Sequence, residues 1–296
     1  MGIAHRADRA AALVMPYSPL ATPSATLAVL RRHGLATKKS LGQHFLVDDN
    51  VVGRILALAR PAEDDVVLEV GPGIGTLTVA LCDVAGAVVA VERDADLLPV
   101  LAETTAGCAR LAVVRADALD VTAGEIAAPF GPPAALVANL PYQVAATLVL
   151  RFLESLPTLA SATVMVQAEV ADRMTAEPGG KDYGAYTVKL RLLARPAGRF
   201  PVPRTVFLPP PRVDSAVLRL ERLQRPEPAG LLVLTAEVAQ AGFAQRRKTL
   251  RNSLLSAGRW DREAVDGALA GAGVDGGRRA ETLSVDEFMA IARRIR

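Results

Sequence analysis

Five short runs of valine, leucine and alanine recur along the chain with helix-like spacing between them, and they leave little choice of architecture. The runs are Asp65–Val70, Ala87–Glu92, Leu111–Arg115, Ala134–Ala138 and Ala162–Gln167. Apolar strands alternating with helices predict a parallel sheet covered on both faces by its crossovers. A Pro-rich, basic region from 195 to 212 leads into one more strand-like run, Val213–Leu220, and residues 222–230, with Pro226 and Pro228, read as a linker. Only helix signals follow: the apolar stretch Leu231–Phe243, a capping Asp261, and the Ser284/Glu287 capping box. The expected fold class is therefore α/β, a Rossmann-like doubly wound sheet with a small C-terminal helical domain. Residues 1–22 read as a flexible tail, 23–222 as the α/β domain and 223–296 as the helical domain.

Composition removes several function classes. At 296 residues the chain can bury a substantial core, and 51% apolar with 22% charged residues is ordinary for a globular protein. Two cysteines, Cys82 and Cys108, give no metal or disulfide framework, so no metal is expected and a reduced, cytoplasmic setting is. The longest uncharged stretch, Phe130–Leu150, is interrupted by Asn139, Pro141 and Gln143 and reads as strand, loop and helix rather than a membrane span. A net charge of +3 makes the position of basic residues more informative than their total.

Four strand ends carry groups suited to one ligand. Gly71, Gly73 and Gly75 lie between a strand and a helix, where glycines admit a ligand close to the backbone and helix-start amides favour electron-rich groups. The position three after Gly73 is Thr76, so the loop departs from the dinucleotide fingerprint and suits a nucleoside lacking a pyrophosphate. Glu92 ends the next strand, where a carboxylate can accept both ribose hydroxyls, and Asp117 follows the third, where it can accept an adenine amino group. The fourth strand runs into Asn139-Leu140-Pro141-Tyr142: an amide, a rigid turn and an aromatic face, the groups needed to hold the exocyclic amine of a planar base. Each feature alone also reads as a solvated strand end or a tight turn. As a set they describe a pocket for S-adenosylmethionine beside a base.

These residues closely resemble the bacterial ribosomal RNA adenine N6,N6-dimethyltransferases whose loss confers kasugamycin resistance. The likeness runs from about Lys38 to Phe288 and includes the segments 42–46, 69–78, 139–142, 167–173, 207–215 and 243–248. It implies that Gln43, His44, Leu46, Gly71, Gly73, Glu92, Arg93, Asp117, Ala118 and Asn139 contact the donor. It also implies that Asn139, Leu140, Pro141 and Tyr142 act on the target base, with Phe207 as a second aromatic beside it. The implied reaction is dimethylation of two adjacent adenosines in the 3′-terminal hairpin of 16S rRNA, within the 30S subunit or its precursor, by a monomer in the cytoplasm.

Basic residues agree with an RNA partner. Arg195, Arg199, Arg204 and Arg212 lie in a stretch without acidic residues, as do Arg246, Arg247, Lys248, Arg251 and Arg259, and Lys38 and Lys39 add a third cluster. The expected phosphate contacts are Lys38, Lys39, Arg204, Arg212, Arg246, Arg247, Lys248 and Arg251, against the alternative of a merely solvated face. Two further alternatives stand: a 23S rRNA dimethyltransferase of the macrolide-resistance type, and a relative that binds RNA without catalysis. The Arg246–Lys248 and Phe207–Ser215 segments favour the small-subunit enzyme, and retention of Gly71, Gly73, Glu92 and Asn139 favours an enzyme.

Overall fold

The structure is a computed structural model that describes residues 16–35, 43–245 and 247–295. Helix α1 (Pro23–Arg32), a two-residue strand β1 (Phe45–Leu46) and α2 (Asp49–Ala59) come first. Strands and helices then alternate through β2 (Val66–Val70), α3 (Thr76–Cys82), β3 (Ala87–Glu92), α4 (Leu98–Thr104), β4 (Leu111–Arg115), α5 (Ala123–Ala127), β5 (Ala135–Asn139), α6 (Ala145–Ser155) and β6 (Ser161–Gln167). After α7 (Ala168–Thr175) and α8 (Ala185–Leu193) come β7 (Ala194–Val202), the short β8 (Phe207–Leu208) and β9 (Ser215–Arg222). The chain ends in α9 (Ala229–Phe243), α10 (Leu250–Ser256), α11 (Arg262–Ala272) and α12 (Val285–Ala292).

Seven strands form one sheet in the order β4-β3-β2-β5-β6-β9-β7, with the first five parallel and β9 antiparallel to both its neighbours. The order reverses between β2 and β5, which places a crevice beyond their carboxyl ends. Strand alternation sorts side chains onto two faces. Leu68, Val70, Val89, Val91 and Leu136 pack with Leu148 and Phe152 of α6, whereas Val67, Val88 and Val137 pack with Val52 and Ile55 of α2 and Leu77 and Leu81 of α3. Both faces of the inner strands β2, β3, β5 and β6 are buried, so those strands carry no polar stripe.

Two expectations need correction. The Pro-rich region holds a strand, β7, at the sheet edge, with an irregular register between Pro196 and Gly198. Proline is tolerated there because an edge strand has one side with no ladder to complete. Nor is the segment before α1 loose where it is described. The Tyr17 and Ser18 amides donate to the Asp49 carboxylate at 3.1 and 2.8 Å, and Leu20 and Ala21 are buried. The Tyr17 ring lies where a side chain on Gly53 would stand, so a glycine in α2 admits it. Residues 1–15 lie outside the described residues. The C-terminal helices enclose their own core around Val238, Leu254, Leu269 and Phe288, and this core extends onto Tyr183 and onto Val188 of α8.

Three arginines, two on β9 and one just after it, close three helices. Arg219 donates to the Leu58 and Ala59 carbonyls at the end of α2. Arg222 donates to the carbonyls of Leu153, Leu156 and Leu159, in and just beyond the last turn of α6, at 2.7, 2.9 and 2.6 Å. Arg225 reaches the Leu192 and Arg191 carbonyls of α8 at 3.0 and 3.2 Å. Last-turn carbonyls lack helical partners and sit at the negative end of the helix dipole, so a guanidinium satisfies both needs. Arg222→Ala removes the guanidinium from the Leu153 and Leu159 carbonyls and leaves Leu156 only the Leu159 amide, and should cost about 2–4 kcal/mol in urea denaturation. Arg195→Ala, at an exposed edge, should cost less than about 0.5 kcal/mol.

Candidate active site at the switch point

A cavity of about 1010 Å³ opens at the carboxyl ends of β2, β3 and β5 and extends to the loop after β4. Its floor is the glycine loop. The Gly71 amide donates to the Val91 carbonyl at 2.9 Å, and Gly71 and Gly73 sit at φ of +68° and +62°, where a side chain would be strained. At Gly73 a Cβ would also come within 3.2 Å of the Phe45 ring, so the loop runs close beneath β1.

The carboxylates organise this floor before any ligand arrives. Glu92 accepts the Gly73 amide on one oxygen at 3.2 Å and the Asp94 amide on the other at 2.7 Å. Burial raises its pKa, against the lowering effect of those bonds. Asp94 accepts the Gln43 side-chain amide at 2.7 Å, which draws the segment before β1 onto the glycine-loop side of the cavity. Asp117 pairs with Arg93 at 2.8 Å and accepts the Leu119 amide at 2.9 Å, and the guanidinium beside it holds its carboxyl below the usual range. Arg151 of α6 donates to the Ala118 and Val121 carbonyls at 3.0 and 2.5 Å, anchoring that loop from behind.

The half of the cavity that the sequence assigns to a base converges on β5. Asn139 ends the strand, and its amide nitrogen donates to the His44 carbonyl at 3.3 Å, which turns Oδ1 to the other side of the amide plane. The Leu140 amide bonds the Met165 carbonyl at 3.1 Å and its side chain is buried, so its carbonyl is the group that can face a ligand. Pro141 rests 3.9 Å from the position of a Cβ on Gly71, joining the two halves, and its carbonyl accepts the Val144 amide to close the turn. The Tyr142 hydroxyl shares a hydrogen bond with the Ser215 hydroxyl at 2.5 Å.

Every donor residue expected from the sequence lines the cavity: Gln43, His44, Leu46, Gly71, Gly73, Glu92, Arg93, Asp117, Ala118 and Asn139. Leu140, Pro141 and Tyr142 line it too, but Phe207 does not. Phe207 is 2% exposed and packs in the core with Leu46, Met165 and Val217, because β8 pairs it with Leu46 of β1. What that pairing delivers to the cavity instead is the segment Pro209 to Val213. Glu69, unassigned from sequence, also borders the cavity, and one of its buried carboxyl oxygens has no hydrogen-bond partner. The signal was present: a glutamate inside an apolar strand has no packing reason to be there.

The sequence model of the ribosomal RNA adenine dimethylase family matches residues 34–296. The chain belongs to that family. It is 45% identical over 285 residues to ribosomal RNA small subunit methyltransferase A of Pelotomaculum thermopropionicum, covering 92% of this chain and 96% of that protein. It is 44% identical over 288 residues to the protein of the same name from Moorella thermoacetica, covering 93% and 98%. Among solved structures it resembles the 23S rRNA methyltransferase ErmE, with 31% identity, a TM-score of 0.65 and coverage of 85% of this chain and 99% of that one. A dimethyladenosine transferase from Plasmodium falciparum shares the fold at a TM-score of 0.70 and 22% identity, covering 84% of this chain and 96% of that one.

As a member of this family the chain is an rRNA adenine dimethyltransferase that uses S-adenosylmethionine. The cavity fits that donor: positive-φ glycines admit close approach, carboxylates stand at two strand ends, and Glu69 on its border keeps a buried oxygen without a hydrogen-bond partner. Among the described residues no cluster of side chains is suited to hold a metal, and no helix is long and apolar enough to cross a membrane.

The basic clusters separate on inspection. Arg251 forms a two-pronged pair with Asp266 at 2.5 and 2.7 Å, so its charge is already met within the chain. Arg195 pairs with Glu221, Arg199 with Asp172 and Arg259 with Glu237, acids that lie outside each basic stretch in sequence. Arg204, Arg212, Arg247 and Lys248 are exposed, and Arg212 borders the cavity. Lys38, Lys39 and Arg246 lie outside the described residues.

Glu69 gives this site a measurable pH signature. Burial pushes its carboxyl from an ordinary 4.5 to about 8. Between those values the folded protein binds a proton that the unfolded chain has released, so stability falls as pH rises through that window. Glu69→Gln should therefore melt higher than the parent near pH 7.5, and the gap should close below the lower value. Parallel melting curves across the whole range would exclude a proton on Glu69.

Proposed function

We propose that the chain dimethylates N6 of two adjacent adenosines in the 3′-terminal hairpin of 16S rRNA, in the 30S subunit or its precursor, as a cytoplasmic monomer. The observation that carries this choice over a large-subunit target is near-full-length identity of 45% and 44% to proteins named for the small subunit, against 31% to the 23S enzyme.

The chemistry asked of the protein is modest. N6 of adenine is a weak nucleophile because its lone pair is delocalised into the ring. Asn139 Oδ1 and the Leu140 carbonyl would accept its two N–H protons, which favours a pyramidal nitrogen and frees the lone pair. Tyr142 would hold the unstacked ring from one face. The bound donor supplies a methyl group on a sulfonium, which is already activated for displacement. Gly71, Glu92 and Asp117 would fix that donor, so catalysis is positioning and electrostatics. Arg204, Arg212, Arg247 and Lys248 are the exposed cations proposed to hold RNA phosphates.

Radiolabelled methyl transfer to undermethylated 30S particles and to 50S precursors tests the substrate. Label in dimethyladenosine of 30S alone is expected; label in 50S alone would favour the resistance-type reading, and label in neither a binding factor. On 30S particles with saturating donor, Asn139→Ala should slow single turnover about 30- to 1000-fold, a loss of roughly 2–4 kcal/mol at the barrier. A wild-type rate in the folded variant would remove the amide from the mechanism.

RNA affinity can be tested separately. Replacing Arg247 and Lys248 with alanine should reduce the slope of log affinity against log salt by about one per lost phosphate contact, with donor binding unchanged. An unchanged slope would make both merely solvated.

A further inference from the structure

Three segments that are remote in sequence meet at His44. Its carbonyl accepts the Asn139 side-chain amide at 3.3 Å. Its ring stacks on that of Tyr142, with centroids 5.6 Å apart and planes 25° from parallel. Its Nδ1 lies 2.8 Å from the Pro209 carbonyl, and since a carbonyl only accepts, Nδ1 carries the proton. Pro209 is brought there by the pairing of Phe45 with Leu208. The Tyr142 ring is thus fixed at both ends, by Ser215 at the hydroxyl and by the imidazole on one face. A base inserted between two rings needs them nearly 7 Å apart, so at 5.6 Å the imidazole leaves only the opposite face of Tyr142 for a target.

We propose that the His44 side chain is a positioning residue of the base-holding half: its imidazole, oriented by Pro209, sets the plane of the Tyr142 ring and so selects the face that receives the target adenine. The inference rests on the function proposed above for Tyr142, and it assigns the ring of His44 to the aromatic platform rather than to the donor.

Ring-labelled tyrosine resonances test the contact without any activity. The chain has four tyrosines, so Tyr142 is assigned by Tyr142→Phe. His44→Ala should move the Tyr142 signals and leave the other three in place, whereas His44→Phe, which keeps a ring, should move them less. On 30S particles with saturating donor, His44→Ala should slow single turnover about 10- to 100-fold, with donor affinity by calorimetry within about twofold of the parent. Because the ring acts through Tyr142, the His44→Ala/Tyr142→Ala double variant should be no slower than Tyr142→Ala alone. Unmoved Tyr142 signals in folded His44→Ala, losses that add in the double variant, or a loss confined to donor affinity would each overturn the assignment. Should His44→Ala not fold, His44→Gln carries the same test, since it keeps a donor for Pro209 but no ring. If the parent methylates neither particle, the proposed function fails while the tyrosine signals still decide the role of His44.

Discussion

Beyond Val70 the chain turns toward β3, and beyond Asn139 it turns toward β6, so two neighbouring parallel strands send their connections in opposite directions. No crossover covers the gap between them, and the backbone groups exposed there must find partners. The glycine loop and the Asn139–Tyr142 turn both start at that gap, and Pro141 stands across it where a Cβ on Gly71 would come into contact with it. A donor held at the glycine loop and a base held at the Asn139–Tyr142 turn would thereby stand in a fixed relation, set by two adjacent strand ends of one sheet. The precision a methyl transfer needs comes from the sheet rather than from the loops themselves.

A second layer of contacts holds the loops still. Glu92 ties the glycine turn to the turn after β3, Arg93 ties that turn to Asp117, and Arg151 holds the loop beyond it. Each candidate ligand-binding carboxylate is therefore also a structural acceptor. A carboxylate has about four lone-pair sites, so these bonds leave capacity for a ribose or a base while fixing its orientation. On the opposite side, the short pairing of β1 with β8 brings His44 and Pro209 against Asn139 and Tyr142.

Arginine serves several ends in this protein, and burial and partner tell them apart. Arg219, Arg222 and Arg225 satisfy helix-end carbonyls. Arg195, Arg199, Arg251 and Arg259 pair with acids, and Arg204 and Arg212 stand exposed. Local charge runs do not reveal this sorting, because the neutralising acids come from elsewhere: Asp266 lies on the helix after Arg251, and Glu221 on the strand beside Arg195.

The apolar runs of β2, β3, β5 and β6 were legible in the sequence because strand length, composition and the helical spacing between them are local properties. Gly71, Glu92, Asp117 and Asn139 could be singled out in the same way, since a polar or glycine residue at or just past the end of an apolar run has few packing reasons to be there, and all four border the cavity. The edge strand β7 was not legible: its ladder lies on one side only, so prolines and alternating polar residues cost it little. Phe207 read as a site aromatic because its neighbours belong to the site, and only the register against Leu46 turned it into the core. The sequence alone determined which residues end the strands, through short-range patterning. Which side chains meet was decided by long-range pairing, 165 residues apart for His44 and Pro209, and no local pattern encodes the register of such a contact.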